Sequence, residues 1–70
     1  MPDILGSYLA SDVDESGDTK YYGFLSRSGA WYIMTVTDIA TRYSKGSSGY
    51  VAAWTGRAAL EYDYLNEVFG

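Results

Sequence analysis

The chain has 70 residues, 47% apolar and 20% charged, with a net charge of −4 and neither cysteine nor histidine. That length holds one domain at most, and it buries only about 60% of the surface its unfolded form exposes. The missing residue types exclude disulfide staples and leave zinc without its usual ligands, while the acid surplus argues against a nucleic-acid backbone as partner, because phosphate binding takes an excess of Lys and Arg.

Residues 1–7 read as an extended tail, and the first strand is expected at residues 8–13 (YLASDV). An acidic turn leads to residues 20–25 (KYYGFL), and the break Ser26-Arg27-Ser28-Gly29 joins them to residues 30–37 (AWYIMTVT). Both arms are rich in aromatic and β-branched residues, so this pair is the clearest hairpin of the chain. In its second arm Trp31, Ile33 and Thr35 fall on one face and Tyr32, Met34 and Val36 on the other. Both faces are largely apolar, which places that strand at the centre of a sheet. Residues 41–45 (TRYSK) pair next across Asp38-Ile39-Ala40, and Gly46-Ser47-Ser48-Gly49 is a loop by composition.

Two patterns compete in the C-terminal third. Val51, Trp54, Ala58, Tyr62, Leu65 and Phe69 step by three and four as in a helix, whereas Leu60, Tyr62 and Tyr64 alternate with Glu61 and Asp63 as in a strand. Gly56 would cost a helix about 1 kcal/mol against alanine. The reading adopted is a turn through residues 50–57 and a strand over residues 58–64, followed by a docking tail, residues 65–70. The expected fold is thus a mainly β domain, a small antiparallel meander of four to five strands, with a short helix in the C-terminal third as the alternative.

Three groups of residues carry candidate chemistry. Asp12, Asp14, Ser16 and Asp18, with Gly17, have the opening spacing of a calcium loop, but its twelfth position is Gly23, where a bidentate Glu is needed. A hairpin turn of Asp, Ser and Gly gives the same letters for conformational reasons. Glu61 and Asp63 share a strand face, the arrangement of a paired-carboxylate acid and base, yet alternate acids on an outward face are the ordinary solvated pattern. With no His, Cys or phosphate-binding loop, no enzyme and no cofactor are expected. Trp54 and Arg57, with Tyr43 and Tyr50, form a candidate aromatic platform for sugar rings, peptides or stacked bases, against the simpler expectation that the tryptophans are core.

The charge is segmented. Residues 1–18 hold five acids and no base, residues 19–57 hold five bases and one acid, Asp38, and residues 58–70 hold three acids. Such segments neutralise one another within one fold or across copies. Twelve aromatic residues, eight of them tyrosine, suit faces that are apolar at one end and wet at the other. No run approaches the ~18 apolar residues of a membrane span, and the first twenty residues lack the pattern of a signal peptide, so no membrane partner is expected.

The run Tyr21-Tyr22-Gly23-Phe24, then Gly29-Ala30-Trp31-Tyr32-Ile33-Met34, then Arg42-Tyr43, and Trp54-Thr55-Gly56-Arg57 leading to Leu60, Tyr62, Tyr64 and Phe69 resembles small proteins encoded among the virion and tail genes of tailed bacteriophages. The resemblance implies a structural protein of the virion, made in the host cytoplasm and placed in the particle. It carries no catalytic residue. A domain this small without staples gains its remaining stability from assembly, so a homo-oligomer or a complex with other virion proteins is expected. Tyr8, Tyr43, Tyr50, Trp54, Arg57, Leu65 and Phe69 are the candidate interaction residues. The alternative is a glycan-binding module of a tail or adhesin that exposes Trp54. A third reading is a regulator that binds a host protein through its acidic N-terminal segment.

Overall fold

The computed structural model describes residues 8–69, the side chain of Phe69 excepted. The expected tail, residues 1–7, and Gly70 lie outside the described residues. Four antiparallel strands, β1 (Leu9–Asp14), β2 (Lys20–Leu25), β3 (Trp31–Val36) and β4 (Thr41–Gly46), form a meander in the order β1-β2-β3-β4. Helix α1 (Tyr50–Thr55), a 3-10 turn (Arg57–Ala59) and helix α2 (Leu65–Phe69) follow. The mainly β meander expected from the strand patterns is therefore the fold.

The register assigns the faces. Tyr21 lies opposite Thr35, Gly23 opposite Ile33 and Leu25 opposite Trp31, so these residues share the face that α1 covers. Tyr22, Phe24, Tyr32 and Met34 share the other. Trp31, Ile33 and Tyr50 form the buried cluster, and Tyr21, Leu25, Ala53, Trp54, Leu60 and Tyr62 pack against it. Ile33, with no exposed surface, is the one large side chain fully enclosed among the described residues.

Two glycines let the aromatic layer lie flat on the sheet. A Cβ at Gly23 would run into the Tyr50 hydroxyl and stand 2.9 Å from Cε3 of Trp54. One at Gly46 would stand 2.5 Å from Cε2 and Cζ2 of Trp31. Neither site has room for it, because carbon atoms meet at about 3.5–4.0 Å.

The C-terminal third differs from the expected turn and strand. Residues 50–55 are helical because Tyr50, Ala53 and Trp54, spaced by three and four, all find the sheet, while Val51 points outward at 77% exposed. Gly56 does not interrupt this helix but ends it, its N–H donating to the Ala52 carbonyl. Residues 58–64 are not a strand. Leu60 and Tyr62 face inward and Glu61 and Asp63 are exposed, but Tyr64, the next inward position of the expected alternation, is exposed as well, and among the described residues the segment pairs with β4 only at Tyr43 and Asp63. The Tyr62 hydroxyl donates to the Arg57 carbonyl at 2.7 Å, which holds the segment folded over the sheet. Residues 65–69 form α2, which packs on β4.

Candidate functional site

The candidate platform resolves into two groups on opposite faces. Tyr50, Trp54 and Arg57 meet on the covered face. Their position depends on a bulge in β1: Ala10 pairs with Phe24 and Asp12 with Gly23, leaving Ser11 as the extra residue. Without it, the two-residue period would turn Asp12 and Asp14 to the same face as Ala10. With it, both carboxylates look toward α1.

Each carboxylate takes one partner from beyond the sheet. The Tyr50 hydroxyl donates to Oδ2 of Asp12 at 2.7 Å. Arg57 donates through Nη2 to Oδ2 of Asp14 at 2.6 Å and through Nη1 to the Trp54 carbonyl at 2.8 Å. Its guanidinium lies 4.4 Å from the centre of the Trp54 ring and 5.5 Å from that of Tyr21, so the cation sits between two π faces. Arg57, then the hydroxyl and N–H of Ser16, hold the Asp14 carboxyl well below the usual carboxylate range. Burial, reinforced by the Asp12 carboxylate, pushes Tyr50 up to about 12. Burial also raises Tyr62 to about 12, with Tyr21 beside it adding to the effect. The Asp14–Arg57 pair is one instance of opposite charges meeting within the fold.

This arrangement is a latch that ties the edge strand to the helix. The indole of Trp54 is half-buried, packed against Gly23 and Tyr50 with the Arg57 cation over it, which is the geometry of a packing residue. Asp12 and Asp14, the first ligands of the calcium spacing, spend oxygens on Tyr50 and Arg57. Among the described residues no group of three or more His, Cys, Asp or Glu side chains is placed to hold a metal ion.

Tyr8 and Tyr43 lie on the opposite face. Tyr8 meets Tyr32 edge-on at 5.0 Å, Phe24 stacks on Tyr32 at 4.4 Å, and Tyr43 lies 6.2 Å from the same ring. Tyr43, expected beside Trp54, is thus separated from it by the sheet. Leu65 is exposed at the start of α2, and the side chain of Phe69 lies outside the described residues. Arg42 lies over the Tyr64 ring at 4.0 Å.

Among the described residues no strand lies beside the outer side of β1. The β4 edge is occupied at Tyr43, which exchanges both backbone hydrogen bonds with Asp63, at 2.8 and 2.9 Å. Two further features were not singled out in the sequence. Ile39, in the β3–β4 turn, is 94% exposed. A shallow groove of about 680 Å³ opens at the other end of the sheet, between Leu9, Leu25 and residues 26–28. An apolar residue beside Asp38 in a turn was the available signal for the first. The second depends on which strands become neighbours, and no local pattern reveals it. Among the described residues no helix is long and apolar enough to cross a membrane. No protein-family model matches the chain, and no curated protein or solved structure matches it.

Proposed function

We propose that this chain is a structural protein, a small multi-copy component of a tailed-phage virion that binds itself and neighbouring virion proteins. The observation that carries the reading is the imbalance between core and surface. One large side chain is fully enclosed among the described residues, while Leu9, Val13, Ile39, Val51, Tyr64 and Leu65 are all exposed. A sheet of this size gains stability by covering such residues against other polypeptides. The aromatic and turn residues quoted above, similar to those of small phage virion and tail proteins, give the particle as the setting. The role is non-catalytic, and the open side of β1 is the edge at which a strand of a neighbour adds.

Light scattering and cross-linking of the purified chain, alone and with the products of adjacent genes, test this reading. A defined oligomer or a stoichiometric complex is expected. A chain that stays monomeric at all concentrations and binds none of those products refutes it.

A further inference from the structure

Resting on the assembly reading above, we infer that copies of this chain associate head to tail, Ile39 of one copy entering the Leu9–Leu25 groove of the next with Asp38 paired to Arg27.

The two features lie at opposite ends of the strands. Leu25 closes β2 and pairs with Leu9 of β1, so the groove opens at the end where residues 26–29 join β2 to β3. Ile39 follows β3, and β3 is six residues long, a span of about 20 Å at the usual rise. A contact between unlike ends of identical molecules is heterologous. It builds a ring where the rotation closes and a filament where it does not.

Shape and charge both favour a second copy as the occupant. Ile39 is 94% exposed, projecting from the β3–β4 turn that the Thr37 N–H closes by donating to the Ala40 carbonyl at 2.8 Å. The turn therefore presents an apolar knob. The groove has an apolar wall in Leu9, 69% exposed, and Leu25, with Ser26, Arg27 and Ser28 along its rim. Its volume exceeds that of one isoleucine side chain, so the flanking turn enters with it. Asp38 and Arg27 are both exposed and neither makes an ion pair among the described residues. The wider field has the same sense: the β1–β2 turn lies at the Ile39 end, where Glu15, Asp18 and Asp38 outnumber Lys20 and Arg42, whereas Arg27 and Lys45 stand toward the groove end. Opposite potentials on facing ends set orientation and register and disfavour like-to-like docking.

The inference is tested on the full chain by sedimentation velocity with two surface variants. Ile39→Asp removes the knob and leaves the groove, and Arg27→Glu spoils the groove and leaves the knob. Circular dichroism and tryptophan fluorescence unchanged from wild type establish that both remain folded. Each variant alone is expected to be monomeric where the wild type assembles, with self-association weakened at least about tenfold. Mixed in equal amounts, they are expected to give a dimer and nothing larger, because only one competent knob and one competent groove meet. The double swap Asp38→Arg with Arg27→Asp is expected to restore assembly. Wild-type oligomers that persist in both variants overturn the head-to-tail contact while leaving the structural role standing. A wild-type chain that is monomeric alone but binds a neighbouring virion protein does the same. A mixture that stays monomeric also overturns it.

Discussion

Replacing Gly23 by alanine adds one carbon where the structure has no space for it. The new Cβ would overlap the Tyr50 hydroxyl and stand 2.9 and 3.0 Å from Cε3 and Cζ3 of Trp54. Neither ring is the free end of a flexible chain, since Tyr50 is buried and bonded to Asp12 and Trp54 is packed under Arg57. Overpacking of this kind costs about 1–3 kcal/mol. When α1 lifts, the hydrogen bond to the Asp12 carboxylate is lost as well, a further ~1.5–3 kcal/mol. Alanine returns about 0.5–1 kcal/mol in a strand relative to glycine. The net loss is about 2–5 kcal/mol, against a total of about 4–10 kcal/mol for a domain of this length. Urea unfolding followed by tryptophan fluorescence should show the loss in the midpoint, and the melting temperature should fall by at least about 8 °C. Tyr50→Phe removes the atom nearest the new Cβ, so a double-mutant cycle should give a coupling of at least about 0.5 kcal/mol. Gly17→Ala is the control: the nearest atom to its Cβ is 4.0 Å away, and it should fall within about 0.5 kcal/mol of wild type. A wild-type midpoint for Gly23→Ala, or strictly additive costs in the cycle, would refute the close approach of helix and sheet.

Gly46→Ala likewise pushes the Trp31 indole off the Ser48 carbonyl, which it reaches at 2.7 Å, and should cost about 1–3 kcal/mol with a red shift of fluorescence. Asp14, held low by Arg57, adds stability that is complete above the unfolded carboxyl value of about 3.9 and is lost as pH falls through its lower folded value. Asp14→Asn should therefore flatten the acid limb of a stability profile, and an unchanged limb contradicts the latch. Tyr50 and Tyr62, both raised to about 12, act in the opposite direction. Their contribution is complete below the unfolded value of about 10 and disappears as pH rises through about 12. Phenolate absorbance should accordingly show late-titrating tyrosines whose ionisation coincides with unfolding, and Tyr62→Phe should remove part of that signal.

The four strands were legible in the sequence because their signals are local. Alternation in residues 20–25 and 30–37 and turn residues at 26–29 select strands and hairpins without reference to distant parts of the chain. The two apolar faces of β3 likewise place it centrally on composition alone. The path of residues 50–64 was not legible, because its helix and strand patterns are close in strength. The choice fell to tertiary contacts: Tyr50 and Trp54 have a flat seat only where Gly23 lies in the neighbouring strand. The candidate site followed the same division. Trp54, Arg57 and Tyr50 do assemble, but Tyr43 is carried to the far side by strand pairing. The bulge at Ser11, invisible to any periodicity, turns Asp12 and Asp14 toward their partners. The one-dimensional order of residues thus determined strand identity, turn placement and the central position of β3, all set by interactions within a few residues. Tertiary structure alone decided the course of the C-terminal third, the carboxylate latch and the groove at the sheet's end, since each depends on atoms far apart in the chain.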